Sequence, residues 1–565
     1  MRDKNFEKDI MHDTLMKKNI ASIFSFLGEG LGVGLLFLLT ACGGASVPTQ
    51  YSDSKQLPQI YPDYAEVTIP VNIAPLSMEL MQDAEDAVTR YSFGEDEIVC
   101  GGKKAMPDIA DWKELTAKAK GNAIQVEVFA QNQGQWTRFK PFNIYVSPDS
   151  IDPYISYRLI SPSYVTYEEL TINQRSLEDY WEAPIYDNML CGDEISGQCI
   201  NCHNYQMYDP QRMQFHARQK NGGTVVMYDG NIKKVNMVND SILSAGVYPS
   251  WHPWLKLIAY STNKTMQSFH TNDINKIEVL DSESDLIVYD VEHNEVMNIE
   301  NDPHEFEVYP FWAPDGKYLY YCSAHFEYEA DTVNTSETIA RAQEIKYSLY
   351  RKAFNPDTRE FGPREMVFDA AAMDKSVTLP RISPDGRWLL LSLGGWGCFH
   401  IWHRDADLWL MDLQGEQEVK GVKGVREVRE VKEVREVKEV KDITMGKDDG
   451  QWSSVTCLFP IRPLTECNSD NVESYHTWSS NGKWIIFSSR RDDGVYTRPF
   501  IAHMENGKGT KPFELPTEDP DYHRQLMKSY NIPEFMKGRV NFTPQQIADV
   551  LKQDVDPVEY VEKLK

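Results

Sequence analysis

Basic residues are scarce in this chain, which has 58 Lys and Arg against 85 Asp and Glu and a net charge of −27 at pH 7. A surface with this excess of acid repels nucleic acid and the headgroups of anionic lipids. The composition therefore predicts no nucleic-acid partner. Acidity alone is weak support for a basic protein partner.

Long hydrophobic runs are also lacking. The densest apolar run covers only residues 35–39, and Glu29 interrupts the wider apolar stretch around it. A membrane-spanning helix needs about 20 consecutive apolar residues. The sequence therefore argues against a transmembrane anchor.

Several catalytic signatures are missing from the sequence. There is no phosphate-binding loop, no paired-carboxylate site and no convincing nucleophile–base set. A zinc site would need a second pair of ligands, and no second Cys-x-x-Cys motif is present. We therefore do not predict a stand-alone enzyme.

One chemical motif does stand out, the Cys-Ile-Asn-Cys-His box at residues 199–203. Cys-x-x-Cys-His is the attachment signature of a c-type haem. Cys199 and Cys202 would bind the haem covalently, and His203 would be the proximal iron ligand. A structural disulfide or a redox dithiol are the alternatives. The box predicts one haem c.

The distal haem ligand is less well defined by the sequence. His216 is our first candidate and Met213 the second, because Met207 lies too near the box to cross the ring. His216 could instead be a polar surface residue, with the iron open or bound by another segment. His400 and His403 have a spacing found in metal sites, but a structural role is favoured.

The N-terminal residues resemble a bacterial lipoprotein signal. Two lysines, an apolar run and Leu-Thr-Ala-Cys at residues 39–42 follow one another. Cleavage before Cys42 and lipidation of its thiol would anchor the protein to a membrane. This predicts a periplasm-facing lipoprotein of the outer membrane, with an unidentified envelope protein as partner. Haem c is attached outside the cytoplasm, which agrees with export.

Six further cysteines are available for disulfides in an oxidising compartment: Cys100, Cys191, Cys322, Cys398, Cys457 and Cys467. A Cys457–Cys467 bridge across a hairpin and a Cys100–Cys191 bridge are two possibilities. The other two cysteines are more typical of buried thiols.

Four repeated units follow the haem box. Each contains a strand, a Pro-Asp-Gly, Asn-Gly or related turn, and a second apolar strand, which predicts a tight hairpin. The third strands of two units are predicted at residues 285–290 and 407–412. The units occupy residues 248–261, 309–321, 379–392 and 475–488.

These units resemble the PD40 (WD40-like) repeat of TolB-type β-propellers. The resemblance implies a mainly-β fold with a propeller of about six blades, preceded by a small β-sandwich-like domain and a short haem-binding segment. Residues 224–228 and 497–502 are the strands expected to close the ring. TolB itself binds a peptidoglycan-associated lipoprotein. That partner is not carried over, because this chain differs in its lipid anchor, haem box and N-terminal domain.

The predicted organisation has six segments and one insert. The insert repeats valine every third residue among alternating charges and is typical of a solvated loop. The haem segment is expected to be loop-like. The segments are a signal peptide (1–41), a tether (42–60), a β-rich domain (61–187), the haem c segment (188–222), the propeller (223–520, with the insert at 416–442) and a partly helical tail (521–565).

Three functions fit these patterns. The first is electron transfer by an envelope lipoprotein with one haem c, whose propeller is a docking scaffold. The alternative is a propeller module that binds a protein or a glycan, in which the haem or the cysteines are only structural. The third is a haem-dependent oxidoreductase with a second cofactor on the propeller.

Overall fold

The computed structural model describes residues 45–161, 169–192, 197–329, 332–415, 442–443 and 455–565. Within these ranges the fold is mainly β, and its strands form eight sheets. Residues 46–565 belong to one structural unit. Cys42 and the valine-rich part of the predicted insert lie outside the described residues.

The N-terminal region contains a seven-stranded sheet, a three-stranded sheet and one helix. The larger sheet has the order β1-β9-β8-β10-β3, with β5 also beside β8 and β6 beside β5, and the smaller has the order β2-β4-β7. The strands are β1 (Ser52–Asp53), β2 (Ile60–Tyr61), β3 (Thr68–Pro70), β4 (Met78–Leu80), β5 (Asp86–Phe93), β6 (Asp96–Gly101), β7 (Lys104–Ala105), β8 (Ala123–Asn132), β9 (Gln135–Arg138) and β10 (Phe142–Ser147).

Helix α1 (Ile109–Lys118), which the sequence did not predict, covers this region. The Asp108 carboxylate caps it by accepting hydrogen bonds from the backbone N–H groups of Ala110 and Asp111. Trp112 and Leu115 are buried and belong to the same apolar core as the strands. The helix therefore uses its apolar face to complete the N-terminal core.

The remaining strands are β11 (Tyr154–Ile160), β12 (Thr171–Ser176), β13 (Glu182–Asp187), β14 (Gln198–Tyr205), β15 (Met213–Gln219), β16 (Gly223–Tyr228), β17 (Asn231–Asn236), β18 (Gly246–Trp251), β19 (Leu257–Phe269), β20 (Ile277–Asp290), β21 (Glu295–Glu300), β22 (Glu305–Trp312), β23 (Tyr318–His325), β24 (Ser348–Asn355), β25 (Glu360–Phe368), β26 (Ser376–Ile382), β27 (Trp388–Gly394), β28 (Asp407–Asp412), β29 (Asp442–Ile443), β30 (Val455–Thr456), β31 (Ile461–Pro463), β32 (Glu473–Trp478), β33 (Trp484–Ser489), β34 (Arg498–Glu505), β35 (Lys508–Gly509), β36 (Phe513–Glu514), β37 (Ser529–Met536), β38 (Asp556–Pro557) and β39 (Glu559–Tyr560). Three helices accompany them, α2 (Thr335–Ala340), α3 (Tyr522–Gln525) and α4 (Pro544–Leu551).

Six successive sets of four antiparallel strands can be traced through these elements. The third and fourth sets are joined by one parallel bridge between Ser284 and Phe306. The sets are β37-β11-β12-β13, β14 to β17, β18 to β21, β22 to β25, β26-β27-β28-β31 and β32-β33-β34-β36.

The four predicted hairpins are confirmed. β18–β19, β22–β23, β26–β27 and β32–β33 are antiparallel neighbours. In three of the turns a glycine has a left-handed φ, between +60° and +74°, at Gly316, Gly386 and Gly482. Glycine adopts this conformation without the steric cost that a Cβ adds. The predicted third strands are also present, within β20 and as β28.

The first strands of the six sets contact one another in chain order. β14 contacts β18, and contacts continue through β22, β26 and β32 to β37, which in turn contacts β14. We call β14, β18, β22, β26, β32 and β37 the inner strands. Their contacts form a closed cycle, and the cycle is completed by a strand close to the C-terminus.

Three expectations differ from the structure. The box segment was predicted to be loop-like, but residues 198–205 form the largely buried strand β14. The tail at 521–565 includes β37, which pairs with β11. Residues 224–228 and 497–502 lie in the second and sixth sets and do not close the cycle. The pairing of β37 with β11 joins strands that are far apart in the sequence, so no local sequence pattern predicts it.

The predicted C-terminal helix is confirmed as α4. The Thr543 side chain accepts a hydrogen bond from the Gln546 backbone, and the Gln546 side chain accepts one from the Thr543 backbone. This reciprocal pair is a capping box. Ile547 and Leu551 pack into the core beside the second set. None of the described helices is both long and apolar enough to cross a membrane.

Neither suggested disulfide is present, because every described cysteine is a free thiol. Cys457 and Cys467 lie in different apolar clusters, as do Cys100 and Cys191. The segment between Cys457 and Cys467 contains β31 and the loop that follows it. These two cysteines therefore do not face each other across a hairpin.

Candidate ligand-binding cavities along the inner strands

Each inner strand is interrupted by the same irregularity. At one point two of its residues oppose a single residue of the neighbouring strand, which is a β-bulge. The first bulged residue has a left-handed φ between +46° and +59° in every case. These six residues are Cys202, Tyr248, Tyr309, Leu379, Tyr475 and Ile532.

The Cys-x-x-Cys-His box is therefore in register with the repeats. Cys202 and His203 occupy the positions that Tyr248 and Pro249 occupy in β18. The six equivalent tetrapeptides are Cys-His-Asn-Tyr at 202–205, Tyr-Pro-Ser-Trp at 248–251, Tyr-Pro-Phe-Trp at 309–312, Leu-Pro-Arg-Ile at 379–382, Tyr-His-Thr-Trp at 475–478 and Ile-Pro-Glu-Phe at 532–535.

The third residue of each tetrapeptide lines one cavity of about 80 Å³, which we call the far cavity. These residues are Asn204, Ser250, Phe311, Arg381, Thr477 and Glu534. The Glu534 carboxylate accepts a hydrogen bond from Asn204 Nδ2 at 3.2 Å and lies 3.7 Å from Arg381 Nη2. One side chain from each set thus converges on this space.

Cys202 and His203 line a second and much smaller cavity of about 20 Å³, the narrow cavity. Tyr248, Tyr309 and Leu379 lie on its other sides. A space of this size holds roughly one water molecule.

The His203 side chain is buried and incompletely hydrogen-bonded. It is 3% exposed, and Nε2 has no hydrogen-bond partner of good geometry. Burial, together with the nearby Arg158 guanidinium, lowers the pKa of His203 to about 3, although backbone groups of Ser156 and Ile532 oppose this shift. The imidazole is therefore neutral at physiological pH.

Cys199 lines a third and larger space, the wide cavity, of about 540 Å³. Asn201 and His216, which are paired across β14 and β15, also line it. His216 Nδ1 lies 3.2 Å from Thr224 Oγ1, and burial lowers the pKa of His216 to about 3. Tyr248 and Phe399 provide aromatic surface on the same cavity.

The predicted haem ligands are not brought together. His203 lines the narrow cavity, whereas His216 lines the wide one. Met213 pairs with Tyr205 at the other end of β15 and is fully buried in an apolar cluster. Neither candidate distal ligand faces His203 across an open space.

This arrangement does not fit a haem. The box residues are divided between two cavities, and the one beside His203 has room for about one water. A haem bound through both thiols and His203 would have to contact both of these cavities at once. One feature points the other way, since the box contains two free thiols and a buried imidazole nitrogen without a hydrogen-bond partner.

The other predicted histidine pair has structural partners. His403 Nε2 lies 2.8 Å from the Glu278 carboxylate, and His400 Nδ1 lies 3.1 Å from Thr378 Oγ1. Within the described ranges, no group of three or more His, Cys, Asp or Glu side chains is placed to hold a metal ion.

Sequence reasoning missed two parts of these cavities. Residues 532–535 share the bulge but are not followed by the Pro-Asp-Gly or Asn-Gly turn that marks three of the four predicted units. Their sequence, Ile-Pro-Glu-Phe, has the same order of apolar residue, proline, charged residue and apolar residue as Leu-Pro-Arg-Ile at 379–382. This similarity could have identified them as a further repeat. Arg158 on β11 also lines the wide cavity, and no local motif marks it.

Comparisons with known proteins give no family. No family model matches the chain, and no curated protein matches it. A solved prolyl endopeptidase structure is 9% identical, with a TM-score of 0.28, over 64% of this chain and 42% of that one. An ancestral GH74 enzyme is 10% identical, with a TM-score of 0.20, over 83% of this chain and 78% of that one. The chain thus spans less than half the length of the endopeptidase, and likenesses this weak carry no functional argument.

Proposed function

We propose that residues 154–536 form a six-bladed β-propeller of the TolB-like kind. Six four-stranded sets in succession, a closed cycle of inner strands and a bulge repeated in each of them support this proposal. The pairing of β37 with β11 would join the first and last blades.

We further propose that the protein is a ligand-binding module whose site is the wide cavity. The observation that carries this proposal is the register of the box. Cys202 and His203 take the place of Tyr248 and Pro249 in a repeat, so their burial has a structural explanation. The volume of about 540 Å³ falls in the range typical of small-molecule sites.

A haem-stained denaturing gel with a pyridine haemochrome spectrum tests the structural role of the box on which this function depends. The protein should be produced in a host that matures c-type cytochromes. We expect no covalent haem on the chain. One haem per chain, lost in a Cys199→Ala variant, would contradict a purely structural role for the box.

The second candidate is electron transfer by one haem c attached at Cys199 and Cys202. It is favoured by the unpartnered Nε2 of His203 and by the two free thiols of the same box. When bound, the haem would supply reversible one-electron chemistry, and His203 would hold its iron. A covalent haem with a reversible redox potential would support this candidate over the binding module.

We also propose that Cys42 carries a lipid that anchors the protein at the periplasmic face of the outer membrane. The signal-like residues 39–42 support this location. Metabolic labelling with a radioactive fatty acid should mark the wild-type protein and not a Cys42→Ser variant. Equal labelling of the two would exclude this lipid site.

A further inference from the structure

Arg158 is a buried cation without a carboxylate partner. It is 3% exposed, and its Nη1 donates one hydrogen bond to the Ile200 carbonyl at 3.0 Å. Its Nε has no partner, and the side chain forms no ion pair among the described residues. An uncompensated buried charge is costly in a folded protein.

The described lining of the wide cavity contains no acidic side chain, although the protein as a whole is strongly acidic. Arg158 lines the wide cavity together with Arg218, and none of the described residues on this cavity carries a carboxylate. Asp281 lies just behind its wall, where its oxygens accept hydrogen bonds from Asn263 and Thr265. Arg158 thus meets no carboxylate among the described residues of this cavity.

A second unpartnered donor lines the same space. Gln267 Nε2 is buried and has no hydrogen-bond partner. Tyr248 and Phe399 add apolar surface beside these donors. A ligand that pairs with all of these groups needs an anionic group to bind the Arg158 guanidinium and a hydrogen-bond acceptor for the Gln267 amide. It also needs an uncharged part that packs against the two aromatic rings.

We infer that the wide cavity binds a small organic carboxylate through Arg158 and Gln267. Arginine offers its N–H donors in a planar fork that matches a carboxylate, and such charge-assisted hydrogen bonds are the stronger ones. This inference rests on the proposed binding function and adds to it the chemical class of the ligand.

Isothermal titration calorimetry with glucuronate, succinate and citrate, and with glucose as the neutral control, tests this inference. We expect at least one of the carboxylates to bind the full chain and glucose not to bind. Arg158→Gln should weaken binding at least about tenfold, because a charged hydrogen bond is lost. Gln267→Glu places a negative charge in the cavity, which repels a carboxylate ligand, and should weaken binding to a similar extent. This variant replaces Arg158→Gln as the test if Arg158→Gln does not fold. Arg387→Gln, at an exposed ion pair with Asp412, is the matched control.

Carboxylate binding that is equal in wild type, Arg158→Gln and Gln267→Glu would overturn the inference, as would the absence of binding of all three probes at millimolar concentration. Binding of glucose alone would also overturn it while leaving a binding module in place. A covalent haem with a reversible redox potential would instead overturn the proposed function, so the two failures are distinguishable.

Discussion

At the scale of single residues, the bulged positions place unusual demands on the chain. A left-handed φ is uncommon for residues other than glycine, and for a β-branched residue such as Ile532 it is a genuine outlier. Such conformations persist when the surrounding structure enforces them. Their presence at equivalent points of six strands indicates that the contacts among the inner strands outweigh the local backbone cost.

Gly316 and Gly386 provide a matched pair for separating backbone strain from steric clash. Both have a left-handed φ, but a Cβ at Gly316 would lie 2.5 Å from Trp254 and 2.7 Å from His252, whereas nothing lies within 4 Å at Gly386. We expect Gly386→Ala to lower the free energy of unfolding by about 1 kcal/mol and Gly316→Ala to lower it by more. Urea unfolding measures both values. Equal losses would mean that the Trp254 and His252 rings move aside without cost.

Glu307 predicts an unusual dependence of stability on pH. Its carboxyl group is fully buried and has no hydrogen-bond partner, and burial, reinforced by Asp285 and Glu300, raises its pKa from 4.5 to about 10. The folded state therefore keeps a proton that the unfolded state releases above pH 4.5. The free energy of unfolding should fall as the pH rises from about 4.5 towards 10.

Glu307→Gln removes this proton linkage while keeping the shape of the side chain. We expect it to raise the free energy of unfolding at pH 8 by about 2 kcal/mol and to flatten the pH profile. Glu95→Gln, at an exposed position, is the control and should change neither. Destabilisation by Glu307→Gln at pH 8 would show that the carboxyl group is ionised and stabilised in the folded protein.

At the scale of elements, β37 connects a late part of the chain to the first set of strands. It pairs with β11 and contacts both β32 and β14, so it joins the ends of the series of sheets. A chain that ends at residue 528 lacks this strand. We expect it to lose cooperative thermal unfolding, because the edge of β11 is then exposed.

A chain that ends at residue 553 is the control for that truncation. It keeps β37 and α4 and loses only β38 and β39, which pair at the edges of two sheets. Circular dichroism melting should show a cooperative transition for this control, with a modest decrease in midpoint. An unchanged melting curve for the chain that ends at residue 528 would contradict the closing role of β37.

The predictable and unpredictable elements differ in how local their signals are. The hairpin after β22 was predictable because Pro314, Asp315 and Gly316 specify its turn within a few residues. The pairing of β11 with β37 was not predictable, since it depends on residues more than 360 positions apart. The box was misassigned to a loop because Asn201, His203 and Asn204 are polar although they lie on a largely buried strand.

The valine-rich insert between β28 and β31 gives a further prediction. These strands pair with each other directly, although the insert separates them in sequence. Replacing residues 418–441 with a short Gly-Ser linker should therefore leave the melting midpoint within about 2 °C of wild type. A larger decrease would mean that the repeat contributes to the folded core.

At the scale of the whole molecule, the net charge of −27 acts against compaction through self-repulsion. The Debye length falls from about 30 Å at 0.01 M salt to about 8 Å at 0.15 M. We therefore expect added NaCl to raise the melting midpoint. Differential scanning calorimetry with tetramethylammonium chloride as a second salt distinguishes screening from specific ion binding. A midpoint independent of both salts would show that the charges are already balanced locally.

The register of the box has a consequence for surveys of proteomes. The five-residue string Cys-x-x-Cys-His is the sequence signature of haem attachment in a cytochrome c. In this protein the last two letters of that string coincide with the bulge of a structural repeat. Under the proposed binding function, a scan that ignores the phase of the repeats would count such a chain as a cytochrome c although its box lies in a strand of a repeat. Aligning each match with the repeats on either side would sort these cases before any electron-transfer capacity is assigned.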